Sequence, residues 1–293
     1  MKMDGSDELC EVSQTLRDHV PRQLLVGNLT VEGFSRAAVQ TYWRVPELKL
    51  GFDVGAQPWA FMGLPRLCIS HTHMDHILSL PAYVARRRMM KMTPPVIYIP
   101  IESVGGVKNL LTSYSRLDYG GLPCELIGVC AGDEFMISRE LMISVVPTFH
   151  SIPSVGYIVW ERRKKLKEEY SSLSGNQIRD LALSGVEVSR EFKIPKVAYL
   201  GDSTAKALDE TPGMYEAEIL IMEMSFVAKR HQSDKIHKYG HIHLDDIVKR
   251  QKNFKNKAVI LSHFSARYAD KEIEMTVARR LPNMLDGKLV LWF

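Results

Sequence analysis

Ser70-His71-Thr72-His73-Met74-Asp75-His76 puts three imidazoles and a carboxylate within six residues. An apolar strand pattern, Arg66–Ser70, runs straight into it. From Asp75 the pattern turns helical, with Ile77, Leu80, Val84 and Ala85 at helix spacing and Arg86 to Arg88 closing the turn. Histidine and aspartate are good zinc ligands. Four such groups on so short a loop cannot surround one ion comfortably. They can divide between two ions about 3.5–4 Å apart, the separation of two-metal hydrolases. The His71/His73 pair points one way and the Asp75/His76 pair the other.

Two ions need further ligands, and polar residues recur where apolar strands stop. His150 follows the strand Met142–Pro147, Asp202 follows Lys196–Leu200, and His263 follows Ala258–Ser262. Gly201-Asp202 alone could be an ordinary turn; beside the histidine cluster it completes a ligand set. Other strand patterns are Arg22–Val26, Ala38–Trp43, Lys49–Val54, Val96–Ile99, Gly156–Trp160, Glu218–Glu223 and Lys288–Phe293. Leu244–Phe254 and Glu272–Arg280 have helical periodicity. Strands come first in β-meanders, then alternate with helices. Residues 1–20 form a polar leader, and residues 21–293 a single domain. Residues 161–195 are a polar insertion without a clear core face, opening with the basic run Arg162-Arg163-Lys164-Lys165-Leu166-Lys167. Arg86, Arg87, Arg88 and Lys91 form a second basic group, which lines a substrate path or only complements a helix C-terminus.

The 293 residues are 45% hydrophobic and 25% charged, as in globular proteins, and long enough to bury a sizeable core. No apolar run reaches the roughly 20 residues of a membrane span. The acidic start MKMDGSDELC lacks the apolar stretch of a secretory signal. Cys10, Cys68, Cys124 and Cys130 contain no C-x-x-C pair, so reduced thiols and a cytoplasmic location are expected, with Cys68 in the core. The net charge of +4 is compatible with a polyanionic partner and equally with a mixed solvated surface.

The chain resembles the metallo-β-lactamase superfamily in its H-x-H-x-D-H run, His150, Gly201-Asp202 and His263. Within that superfamily, His263-Phe264-Ser265-Ala266-Arg267-Tyr268 and Ser154-Val155-Gly156-Tyr157 resemble ribonuclease Z. Lys167–Val188 and Gly240-His241-Ile242-His243 look like its short, plant-type members. The resemblance runs from about residue 22 to the C-terminus. It implies an α/β (α+β) fold, an αββα sandwich of two mixed sheets flanked by helices. It assigns one zinc to His71, His73 and His150, another to Asp75, His76 and His263, and makes Asp202 the bridge. Manganese suits such ligands too.

The implied activity is a zinc-dependent endoribonuclease that removes the 3′ trailer from precursor tRNA. A water shared by the two metals supplies the nucleophile. Asp75 would take its proton. The implied 3′-OH product means that the O3′–P bond breaks, and that poor leaving group benefits from a proton donor. His241 matches the family's catalytic Gly-His, with His243 its competitor, and Glu223 would orient the histidine and keep it protonated. Ser265 and Arg267 would hold phosphate. Lys164, Lys165 and Lys167 would grip RNA on a reduced flexible arm, one lacking the Gly-Pro that marks longer arms. The resemblance also implies a homodimer. Two other readings stand beside it: a hydrolase of this fold acting on another phosphodiester or a small ester, and a non-catalytic binding module. His19, His231 and His237 read as surface or supporting residues.

Overall fold

The computed structural model describes residues 22–228 and 233–293, so the leader, Cys10, His19 and His231 lie outside the described residues. Among the described residues, fourteen strands form two seven-stranded sheets. The first contains β1 (Arg22–Val26), β2 (Leu29–Arg36), β3 (Gln40–Val45), β4 (Leu50–Val54), β5 (Arg66–Cys68), β6 (Val96–Pro100) and β7 (Glu125–Val129), in that order. The second contains β8 (Glu134–Met136), β9 (Leu141–Pro147), β10 (Val155–Leu166), β11 (Ser189–Tyr199), β12 (Ile219–Glu223), β13 (Ala258–Ser262) and β14 (Leu289–Leu291). β1 to β4 are antiparallel, and β4 to β7 parallel. β8 to β11 are antiparallel, and β11 to β14 parallel. The connection pattern therefore occurs twice, although no sequence repeat announces it.

Alternation along the strands builds the layers. Val197 and Tyr199 face the other sheet, where Trp43, Phe52, Tyr157 and Trp292 fill the intersheet core. The Trp43 and Trp292 rings lie 5.2 Å apart, and Phe52 and Tyr199 5.0 Å apart. Ala198 and Leu200 face outward into a helical layer containing Leu244, Ile273 and Val277. Leu67, Ile69, Ile97 and Ile99 do the same on the first sheet, against Leu80, Tyr83 and Val84. The result is the expected αββα sandwich. β12 and β13 are buried on both faces, which explains the apolar runs Ile219–Met222 and Ala258–Leu261.

Several expected boundaries move. The expected strand Ala38–Trp43 begins at Gln40, because Ala38 has φ +61 and turns the β2–β3 hairpin. The helix after the histidine run breaks into Met74–Ile77 and Leu80–Met89. Residues 161–195 extend β10 and β11 into a long hairpin whose tip carries the helix Gly175–Leu183. A capping box of Ser174 and Gln177 starts that helix, which buries no side chain. Cys68 is fully buried, as expected. No helix among the described residues is long and apolar enough to cross a membrane.

Candidate metal centre

The centre forms where strand ends meet along one edge of the sandwich. His71 and His73 follow β5, and Asp75 and His76 occupy the helix Met74–Ile77. His150 lies beyond β9, Asp202 beyond β11 and His263 beyond β13. His71 Nε2 is 3.1 Å from His73 Nδ1, which is 3.1 Å from His150 Nε2. His263 Nε2 is 3.2 Å from His76 Nε2 and 3.3 Å from Asp75 Oδ2. Asp202 lies between the two groups, 3.9 Å from His71, 3.6 Å from His76 and 3.4 Å from His263. All seven residues named from the sequence thus come together.

The donor set fits metal ions. Ligand atoms about 2.0–2.1 Å from one tetrahedral ion stand about 3.3 Å from one another, close to the spacings above. Metal-binding imidazoles characteristically have the other ring nitrogen held by a hydrogen-bond partner. Here His71 Nδ1 lies 3.0 Å from Ser70 Oγ, His76 Nδ1 2.7 Å from Asp53, His150 Nδ1 3.1 Å from the Gly240 carbonyl and His263 Nδ1 3.1 Å from Ser225 Oγ. Burial pushes the His71, His73 and His150 imidazoles toward their neutral, ligating form. Burial opposes ionisation of Asp75 and Asp202, but neighbouring histidines hold both below the usual carboxylate range. The carboxylates also draw positive charge inward. Burial disfavours a cationic His76, yet Asp202 and Asp53 raise it to about 9.

Asp53 is the residue that the sequence reading passed over. It is fully buried, with φ +54. Its carboxylate accepts from the Ser70 N–H at 2.6 Å, the Ser70 hydroxyl at 2.7 Å and the Tyr199 hydroxyl. The available signal was one acid inside the apolar run Leu50–Val54. Asp53 and His263, at φ +58, both hold left-handed backbone, a cost that the surrounding structure sustains.

Beside the ligands, His241 Nδ1 is 2.8 Å from Glu223 Oε1. Glu223 is buried and also accepts from the backbone N–H groups of Ser203, Ser225 and Ile242 and from the Ser225 hydroxyl. Burial opposes a charged His241, but Glu223 and then Asp202 outweigh it, raising its pKa to about 9. His243 points elsewhere. Its Nδ1 accepts from the Asp245 N–H as the N-cap of the helix Leu244–Arg250, and its Nε2 meets the Ala228 carbonyl. His237 pairs with Asp246 at 2.8 Å.

A cleft of about 610 Å³ opens over the centre, lined by His73, Asp75, Phe226, His241, Ser265 and Arg267 among others. Arg267 is exposed and has no ion-pair partner among the described residues. Asp75 Oδ2 accepts from the Ala38 N–H at 2.9 Å. Three arginines of the basic group at 86–91 are engaged within the fold, and Lys91 is exposed. The buried Arg87 donates to the Met62, Leu64 and Thr93 carbonyls, and Arg88 pairs with Asp118. Arg86 donates to the Gln57 carbonyl. On the hairpin, Lys164 and Lys165 are exposed without an ion-pair partner among the described residues, whereas Lys167 lies 3.7 Å from Glu187.

No family model matches the sequence. Among solved structures, the metallo-β-lactamase fold protein YhfI of Bacillus subtilis superposes with a TM-score of 0.63 at 13% identity, over 90% of this chain and 95% of that one. Human tRNase Z, short form, superposes with a TM-score of 0.50 at 18% identity, over 85% of this chain and 92% of its own. These establish the fold. In sequence, tRNase Z TRZ2, chloroplastic, of Arabidopsis thaliana is 33% identical over 89% of this chain and 74% of its own. Arabidopsis thaliana tRNase Z TRZ1 is 41% identical over 261 residues, 88% of this chain and 93% of that protein. With that extent of shared sequence on a metallo-β-lactamase fold, the chain belongs to the tRNase Z (ribonuclease Z) family.

Proposed function

We propose that this protein is an endoribonuclease that cuts the O3′–P bond at the start of the 3′ trailer of precursor tRNA, leaving a 3′-OH. The observation that carries this reading is His241, oriented by Glu223 and facing the cleft beside the ligand cluster. A ribose 3′ oxygen is a poor leaving group and needs a proton as its bond to phosphorus breaks. The substrate class comes from relatives named tRNase Z, matched over most of their length.

His71, His73 and His150 would hold one zinc, and Asp75, His76 and His263 the other, with Asp202 shared. Bound there, the cations would acidify water and offset phosphate charge. Asp75 accepts a proton from the attacking water; no hydrogen bond reaches its Oδ1 among the described residues. The water oxygen bonds to phosphorus as the 3′ oxygen departs with the His241 proton. The trailer retains the phosphate. Ser265 and Arg267 orient the phosphate from the far wall of the cleft. Lys164 and Lys165, with Lys167, hold the tRNA body on the hairpin that spans residues 161–195. Incubation with a trailer-bearing precursor tRNA beside bis(p-nitrophenyl) phosphate tests the reading. Release of the trailer from a 3′-OH tRNA is expected, and turnover of the small ester alone would refute the RNA assignment.

Three further expectations belong to this reading. Emission spectroscopy should find about two zinc ions per chain, and a metal-free folded protein would contradict it. Sedimentation should report twice the 33.3 kDa chain mass if the family's homodimer forms here. A fluorescent fusion should stay in the cytoplasm.

A further inference from the structure

A second cleft, of about 600 Å³, flanks the centre on the side of His150. Its volume lies within the roughly 300–1,000 Å³ range of small-ligand pockets. Topology explains its place. Glu102 follows β6 and Cys130 follows β7, so both stand at the same C-terminal strand edge that delivers His71 from β5. The segment after β9 supplies Thr148, Ser151 and Ser154, and Lys238 closes the rim. Thr148 and Ser154 share a 2.6 Å hydroxyl–hydroxyl hydrogen bond. Glu102 has no ion-pair partner among the described residues. The cleft over the centre contains His73 and His241; this one contains His150 and Gly240. The two depressions therefore reach the ligand cluster at different residues.

An enzyme that cuts inside a strand must accommodate nucleotides on both sides of the scissile phosphate. We infer that the cleft beyond His150 is the subsite for a nucleotide flanking that phosphate, separate from the cleft lined by Phe226 and Arg267. This inference rests on the endoribonuclease reading above. The lining matches a ribonucleotide. Hydroxyls of Thr148, Ser151 and Ser154 can exchange hydrogen bonds with a ribose 2′-OH. The Lys238 ammonium suits the next phosphate, and the Glu102 carboxylate suits the N–H edge of a base.

In a Cys10→Ser background, Cys130 permits a direct test, because its thiol is exposed whereas Cys68 is buried and Cys124 half-buried. Burial also pushes both of those thiols above their ordinary value, Cys124 to about 11, which slows their alkylation. Protein alkylated with N-ethylmaleimide, its stoichiometry read by intact mass, is compared with Cys130→Ser treated alike. Precursor tRNA cleavage by the alkylated protein should fall by about 100-fold, a loss of the size expected from misplacing substrate. Turnover of bis(p-nitrophenyl) phosphate should persist, and Cys130→Ser should resist the reagent. Product inhibition identifies the flank. Alkylation should weaken inhibition by either the trailer-free tRNA or a 5′-phosphorylated trailer oligonucleotide, but not both. Unchanged precursor cleavage by verified Cys130-alkylated protein overturns the subsite alone. Equal loss of small-ester turnover does so too, because the adduct would then be acting on the centre itself. If untreated protein cleaves the ester and no precursor, the endoribonuclease reading fails, and the subsite with it.

Discussion

Asp53 Oδ2 lies 2.7 Å from Nδ1 of His76 and so fixes the direction in which Nε2 of that ring faces. The same carboxylate holds the Ser70 N–H and hydroxyl, and Ser70 Oγ lies 3.0 Å from His71 Nδ1. One buried acid therefore orients a histidine from each proposed metal site. Asp53→Asn should weaken zinc binding by about 10–100-fold, the usual cost of losing a ligand's supporting partner. Competition with a chromogenic chelator measures this. Zinc affinity equal to that of the unmodified protein would show that Asp53 serves only the fold.

Asp53 also marks where sequence reasoning ran out. The seven proposed ligands were legible because His71, His73, Asp75 and His76 crowd one short run, and His150, Asp202 and His263 each follow an apolar strand whose pattern could be read up to its end. Asp53 lies inside β4, and nothing local distinguishes a supporting acid from an ion-paired one. β2 was missed for a related reason: buried Glu32 and Ser35 break its apolar alternation. Glu32 is balanced by Arg44 on the neighbouring strand, 2.5 Å away, and Ser35 by Thr41. β7 carries mostly half-buried residues, so its pattern is weak. The 161–195 hairpin lacks a core face because its outer half projects beyond the sandwich, where pairing between β10 and β11 sustains the strands.

In the proposed mechanism Glu223 acts through His241, 2.8 Å away, so the two side chains should be energetically coupled. Glu223→Gln keeps the shape but removes the charge beside the imidazole. Cleavage should fall by about 10²–10⁴-fold, the typical contribution of a positioned proton donor, while zinc content stays unchanged. Adding Glu223→Gln to His241→Ala should then cost little more. Single-turnover rates with metal analysis decide it. Multiplicative losses in the double variant would mean that Glu223 and His241 work independently.

The hairpin lysines differ in availability. Lys164 and Lys165 form no close ion pair among the described residues, whereas Lys167 faces Glu187 and Arg162 is engaged by Glu191. Lys164→Ala and Lys165→Ala should each raise KM for precursor tRNA and reduce the salt dependence of binding by about one unit of slope. Lys167→Ala should do less, and kcat should hold in all three. Filter-binding titrations across a salt series test this. An unaltered slope in the Lys164/Lys165 double variant would remove the hairpin from the RNA interface.

Gly240 joins the first proposed metal site to the proposed proton donor. Its carbonyl holds His150 Nδ1, and His241 follows it in the chain. At φ +74, a side chain there would be strained, and its Cβ would lie 2.4 Å from His150 Cα and 2.6 Å from the Phe149 carbonyl. Those contacts are backbone, so they cannot yield by a rotamer change. Gly240→Ala should therefore displace His150 and His241 together. Zinc affinity at the site of His71, His73 and His150 should drop by about tenfold or more, and cleavage should fall with it. His241→Ala, by contrast, should lose cleavage and keep both ions. If Gly240→Ala instead retained full zinc with impaired cleavage, its carbonyl would not be what holds His150 for the metal.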